Sequence, residues 1–547
     1  MSKLETRTDI RASQWLAVAL AIAPLLQLLS LDFDRTTPLL LLAPALLVGR
    51  RRLAEVWDKL WSTRGSERWL VLWLAGAGLA ATAWSPHTAA SAAMAAAWVY
   101  IAASALLAGQ LVRVEPRAAG WILGGLAVGG ALGSGLVFLL WPLHPMAFPV
   151  YFHHRHLGYH ALLAAIACTA LLVRLPRTAR LRAGLWFAAG IVIWGGLFWS
   201  GGRAPVLAIG LALAAWCWRT DPPSRRRLIF WAGTQALAGL LWAQIFVTPE
   251  PYLGWWNAAQ RTVELTDVNT ASSARSQFWP AAWHHFLQSP WLGYGPDAYQ
   301  FLTPKLDGQQ PHNLVLQVLL DFGLLGAPAA LAAVALALKR GWTRPRLATG
   351  QPENVDRWPW AALLTAGTAA GLVDGLYYHT IALVPIALAM GVCGGMTLEP
   401  RPPASRNAAR YAGSGGMVML GAATVVAALH SWLYFEVRVA PPPAGPDAPA
   451  ARILHWFPST TSGLSRWLIA WADPRPDDTL AWALWVQSRT PDAALYHIQA
   501  ARLYMRRGDR ARADQQLQDA LATAHALQRP AVQAMIDDYH RPAPTSP

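Results

Sequence analysis

Apolar runs close to membrane-spanning length, separated by short polar and basic connections, set the pattern of this chain. Thirteen stretches approach the ~20 residues a helix needs to cross a bilayer. They lie near 14–31, 36–49, 69–85, 89–112, 118–142, 157–173, 183–200, 204–218, 228–248, 312–338, 359–377, 380–398 and 414–435. Several fall short of the full length, 36–49 most of all. The pattern predicts an all-α polytopic membrane protein of about 13 transmembrane helices, occupying residues 1–435. Two departures stand out. One connection, 249–311, is 63 residues long, well beyond the usual length and therefore a place to look for function. After 435 the apolar runs stop: a Pro- and Ala-rich linker (436–458) leads to a small helical region at 459–547.

Composition agrees. Of the 547 residues, 54% are hydrophobic and only 14% charged, against about 25% charged in soluble domains. The net charge of +15 could suit a nucleic acid, but the basic residues alternate with the connections instead. With the N-terminus inside, inner connections collect 27 of the 45 Lys and Arg and outer ones 6, the rest lying in the tail. That asymmetry predicts a cytoplasmic N-terminus, a C-terminus outside, and no nucleic-acid partner. Cys168, Cys217 and Cys393 all sit in apolar runs, which supports neither disulfides nor a thiolate metal site. The first apolar run is long enough to anchor and lacks a small-residue cleavage site, so it reads as a span rather than a removable leader.

Chemistry is expected where polar groups meet the predicted outer boundary. The long loop passes a Pro290-Trp-Leu-Gly293-Tyr294-Gly295 turn and delivers His312 and Asn313 to the start of an apolar helix. The Trp- and Phe-rich stretch from Ser276 to Ser289 suits an amphipathic helix on the membrane surface. Arg203 lies in a very short hairpin between two apolar runs, where a cation faces a cavity or a partner, or snorkels to the interface. His153, His154, His156 and His160 crowd around Arg155 without an accompanying carboxylate or thiolate, a poor zinc pattern and a better polar lining. The hairpin Asp374–His379 adds polar groups on the same side, including Tyr377 and Tyr378, which also fit an aromatic belt. A rival arrangement would use Asp32 and Asp34 with a divalent metal. In the tail, Ala501, Tyr504, Gly508, Asp509, Ala513, Leu517 and Ala520 follow the spacing of one helix pair and resemble a tetratricopeptide repeat, which suggests a protein-binding module.

The order Arg275, aromatic residues, Pro290-x-x-Gly293-x-Gly295, His312-Asn313, then a Leu-rich helix with Gly323-Leu-Leu-Gly326 resembles the O-antigen ligase and Wzy polymerase superfamily. The resemblance implies a GT-C-like membrane glycosyltransferase of the bacterial inner membrane with a periplasmic active face. It implies an undecaprenyl-diphosphate-linked glycan as donor and a glycan, lipid or protein hydroxyl as acceptor, with no cofactor and no metal. Arg203 matches a recurrent hairpin arginine of that superfamily. Arginine suits the diphosphate because it stays charged and can bond two phosphate oxygens. Histidine suits the proton transfer because it exchanges protons near neutral pH. His312 is then the expected catalytic base, with Arg203, Arg275, Asn313, Tyr294, Arg155 and Tyr378 as expected substrate-binding residues. A protein O-oligosaccharyltransferase of the same superfamily is the nearest alternative; a transporter or scaffold is the alternative of another class.

Overall fold

The computed structural model describes residues 3–30, 40–62, 66–142, 150–246 apart from 152, 253–263, 275–302, 310–343, 357–395, 418–429 apart from 427, and 494–524, with a few positions from 529 to 537. The described residues contain helices and no strand. Asp32, Asp34, the linker 436–458 and the stretch 459–488 lie outside them.

The chain runs through α1 (Lys3–Ser30), α2 (Ala43–Val48), α3 (Arg50–Ser62), α4 (Ser66–Trp84), α5 (Thr88–Val114), α6 (Pro116–Leu140), α7 (His154–Arg174), α8 (Arg180–Trp199), α9 (Arg203–Arg219) and α10 (Pro222–Ile245). Two helices of the long loop follow, α11 (Trp255–Val263) and α12 (Arg275–Gln288), then α13 (Leu314–Trp342), α14 (Trp358–Gly371) and α15 (Thr380–Gly395). Seven of the described helices are long and apolar enough to cross a membrane, and Trp69–Trp84 and Thr380–Gly395 are shorter apolar helices. The protein is therefore a multi-pass membrane protein. Of 36–49, residues 36–39 lie outside the described residues, and among the described ones α2 covers six residues, about 9 Å at ~1.5 Å per residue. Even so, Arg51 pairs with Glu5 at 2.7 Å and Arg52 grips both oxygens of Asp9 at 2.8 Å. The chain has thus returned to the end of the bundle where α1 began.

Local signals punctuate the helices as physical chemistry requires. Glu115 caps α6 by accepting from the Arg117 N–H at 3.0 Å, and Asp221 caps α10 by accepting from the Ser224 N–H at 3.2 Å. Each is followed by a proline at the first helical position, where no N–H is needed. α7 lies at the centre, its side chains from Leu157 to Ala170 almost continuously buried. It packs on α6, α8 and α14, while α5 packs on α15 and α1 on α6. Leu185 of α8 and Leu237, Leu241 and Ile245 of α10 are exposed, which places these helices at the lipid boundary. Between α7, α8 and α10, buried Gln235 accepts from Thr169 at 3.1 Å and donates to the Trp186 carbonyl at 3.2 Å. Such a satisfied polar clasp is tolerated between helices in an apolar bundle.

In the C-terminal region, α16 (Ala494–Arg506) and α17 (Arg510–Thr523) form a helical hairpin. Gly508 makes the turn at φ 76°, Asp509 caps α17, and Ala501, Tyr504, Ala513, Leu517 and Ala520 are buried between the helices.

The alternation of helices leaves Arg-rich connections such as 174–182 and 219–227 on one face and the 200–203, 310–313 and 374–379 junctions on the other. Single cysteines at positions 255–270 or after 445 are expected to react with an impermeant thiol reagent in intact cells. Cysteines at 220–227 or 401–410 are expected to be protected; labelling at 220–227 would invert the orientation.

Candidate functional site

The long loop is held in place by a gap in a helix. α13 is interrupted at Gly323, whose φ of 58° and ψ of −167° are open to glycine and costly for other residues. The Pro290–Gly295 turn fills the gap. Leu324 N–H donates to the Pro290 carbonyl at 2.8 Å, Leu325 N–H to the Trp291 carbonyl at 3.1 Å, and Tyr294 N–H to the Leu320 carbonyl at 2.7 Å. Backbone groups freed by a break at membrane depth must be satisfied by protein, and here the turn does so. A Cβ on Gly323 would stand 2.2 Å from the Trp291 carbonyl oxygen, so the two backbones meet directly. α12 packs on the same unit through Ala282 and Phe286 against Tyr299, Leu302 and Leu320.

This framework carries Arg275, the first residue of α12, and His312, just before α13. Asn313 caps α13, its side-chain oxygen accepting from the N–H groups of Val315 (2.9 Å) and Leu316 (3.1 Å). The residue before it pays in backbone conformation: His312 has φ 53°, a left-handed value rare outside glycine and often found at functional sites. That turn brings its Nδ1 to 3.0 Å from Oδ1 of Asp374, in the connection between α14 and α15. Arg275 Nη2 reaches the other oxygen, Oδ2, at 3.3 Å. The Gly375 N–H donates to Oδ1 at 2.9 Å. Asp374 is 4% exposed, Arg275 15% and His312 20%.

Burial by itself would push the Asp374 carboxyl up. The His312 hydrogen bond and the charges of Arg155, His312 and Arg275 outweigh it and hold the group well below the usual carboxylate range. An ionised carboxylate only accepts hydrogen bonds, so His312 Nδ1 must carry the proton that points to it. In the neutral imidazole that leaves the lone pair on Nε2. The geometry therefore anchors Nδ1 of His312 on Asp374 and leaves Nε2 as the nitrogen able to accept a proton.

Arg155, near the start of α7, and Arg203, at the start of α9, lie within electrostatic reach of this centre: Arg155 acts on Asp374, and both Arg155 and Arg275 act on Arg203. Arg275 and Arg155 act on the carboxylate and Arg203 on those two arginines, leaving an excess of positive charge suited to a multiply charged anion. The nearby histidines have separate work. His154 donates from Nδ1 to the Ser200 carbonyl at 2.5 Å, and His160 bonds the Tyr151 hydroxyl at 2.7 Å. His156 lies against His379 with ring centroids 3.5 Å apart and planes tilted by 34°. Burial, then His154, His156 and Arg155, hold the His153 imidazole well below its ordinary value. Among the described residues no group of three or more His, Cys, Asp or Glu is placed to hold a metal ion.

Of the residues expected from sequence, the structure thus brings His312, Arg275, Arg203 and Arg155 together. Asn313 adjoins them with its side-chain oxygen engaged in capping. Tyr294 turns away: its hydroxyl donates to the His285 carbonyl at 3.0 Å, inside the loop unit. The backbone of Tyr378 follows Asp374 in a short 3-10 turn, and its side chain lies outside the described residues. The sequence marks Asp374 only as part of a polar hairpin. A single carboxylate between two apolar runs, a costly placement near a membrane, was the signal available for it.

Residues 188–331, which include Arg203, Arg275 and His312, match the family model described as O-antigen ligase. The teichuronic acid biosynthesis protein TuaE of Bacillus subtilis (strain 168) is 23% identical over 222 residues, covering 38% of this chain. The match spans 44% of that relative, less than half its length. Both comparisons support the superfamily resemblance carried by the motifs.

Proposed function

We propose that this protein transfers an oligo- or polysaccharide from an undecaprenyl diphosphate carrier to an acceptor hydroxyl at the periplasmic face of the inner membrane. The observation that carries the reading is the buried Asp374 carboxylate, which joins an anchored imidazole to a phosphate-binding type of side chain. The donor diphosphate lies among Arg275, Arg203 and Arg155. The acceptor hydroxyl gives its proton to Nε2 of His312 as its oxygen attacks the anomeric carbon. The sugar–phosphate bond breaks on the opposite side, and the arginines stabilise the negative charge left on the diphosphate. Attack opposite the leaving group inverts the anomeric centre. Diphosphate is a good leaving group already, so these residues supply the needed chemistry without a metal.

The relatives' names favour a polysaccharide acceptor system, ligase or polymerase, over a protein acceptor. Lipid-linked glycans extracted from a deletion strain distinguish the two: single repeat units indicate a lost polymerase, long chains a lost ligase. In this reading the region 459–547 is a separate helical module on the periplasmic side, available to a protein partner.

Purified protein in detergent, given a lipid-linked donor and an acceptor, tests the arginines. Arg203→Lys or Arg275→Lys keeps the charge and loses the planar two-point grip. Each is expected to lower transfer about 10–100-fold, the worth of one charge-assisted hydrogen bond of about 1.5–3 kcal/mol. Full activity of both variants would make these arginines interface anchors and remove the proposed donor site.

A further inference from the structure

Two residues outside the reacting set meet beside Asp374, and one of them is a glycine for an unusual reason. Gly375 has φ −83° and ψ 32°, open to any L residue, so its backbone does not demand glycine. Space does. A Cβ there would stand 2.5 Å from Cδ and 2.7 Å from both Nε2 and Oε1 of Gln310. The Gln310 amide therefore lies flat on the Gly375 Cα. Its Nε2 continues to His379 Nε2, 3.3 Å away. Both side chains are buried, each residue being 6% exposed. The amide oxygen Oε1 is buried with no hydrogen-bond partner, an arrangement that costs free energy and that stability alone does not account for.

The connections matter. Gln310 is two residues before His312, and Gly375 is the residue after Asp374. The N–H of Gly375 holds Oδ1, the same oxygen that takes His312 Nδ1. We infer that Gln310 and Gly375 form a latch: the amide, pressed on a bare Cα and tied at its far end to His379, clamps the 310–313 turn onto the 374–379 connection. The latch keeps His312 in its left-handed backbone conformation and in register with Asp374. These are positioning residues, acting through His312, and the inference rests on the reading of His312 as the base.

A double-mutant cycle on the full-length protein tests it, with turnover and donor KM measured separately. Gly375→Ala is expected to lower turnover about 10²-fold, as a displacement near 1 Å at a reacting group does. Donor KM should stay within about twofold, because the arginines are untouched. Gln310→Ala, and Gln310→Met, which keeps the side chain's length without its donor, should also lower turnover. The deciding result is the combination: in a Gln310→Ala background the added Gly375→Ala should cost little more, since no amide remains to displace. Multiplying losses in the double variant, or a donor KM that rises with the fall in turnover, would overturn the latch. So would wild-type turnover of Gln310→Met and Gly375→Ala. If those variants were active while His312→Ala was not, the latch alone would fail; an active His312→Ala would remove the base itself. Thermal unfolding in detergent separates a misfolded Gly375→Ala from a mispositioned one, and Gln310→Met then carries the test.

Discussion

His312→Gln is expected to bind the lipid-linked donor with near wild-type affinity and to transfer almost none of it. Glutamine keeps a hydrogen-bonding side chain, and its amide can still donate to Asp374, so the pocket and its anchor survive. What is lost is a nitrogen that can accept a proton at neutral pH. A positioned general base contributes ~10²–10⁴-fold, or about 2.7–5.5 kcal/mol of barrier, and turnover should fall by that factor. His312→Ala should behave alike in transfer. Donor affinity should hold in both, because Arg155, Arg203 and Arg275 remain. Binding of a non-transferable lipid diphosphate, measured beside single-turnover transfer, separates the two quantities. Wild-type transfer by His312→Gln would leave His312 as a turn residue only.

The second large effect is expected from Asp374→Asn, which touches no substrate atom. The substitution is almost isosteric, yet an Asn amide can donate to Nδ1 where the carboxylate could only accept. That moves the imidazole proton to Nε2, where the reaction needs a lone pair, and the loss should again approach the ~10²–10⁴-fold worth of the base. Removing the negative charge also leaves the three arginines less neutralised, so the donor should bind as well as before or better. A fall in turnover with unchanged or lower donor KM is the expected signature; a parallel loss of donor binding would mean that Asp374 holds the arginines instead. The native carboxyl is held below its ordinary value of about 3.9. Its ionised form therefore stabilises the fold at pH above that value, and the contribution is lost only as pH falls through the depressed value. An acid limb in the activity near neutral pH would thus belong to another group than Asp374.

How far the sequence revealed this site depended on distance along the chain. His312, Arg275 and the Pro290–Gly295 turn fall within one segment, where turn residues and the start of an apolar run mark them without a fold. Arg203 and Arg155 betrayed themselves as cations at the predicted outer boundary. Asp374 is 62 residues from His312, and nothing in the periodicity of two apolar runs says which distant side chain their connection will meet. Tyr294 shows the converse limit: a tyrosine between two glycines can point either way, and packing on α12 decided it. Gly375 and Gln310 carried no signal at all, since a glycine required by a neighbour's side chain looks like any other.

The plug in α13 has one more consequence, and it concerns length. The half-helix from Leu314 to Phe322 is fastened at both ends, by His312 against Asp374 and by Gly323 against the turn. It works as a ruler of about 14 Å at ~1.5 Å per residue. Adding or deleting one residue would rotate one end against the other by about 100°, so that either the turn or the imidazole would lose its seat. Substitutions can drift along this stretch, but its residue count cannot. Two relatives that share almost no side chains here would still be expected to share the same number of steps between the histidine and the glycine.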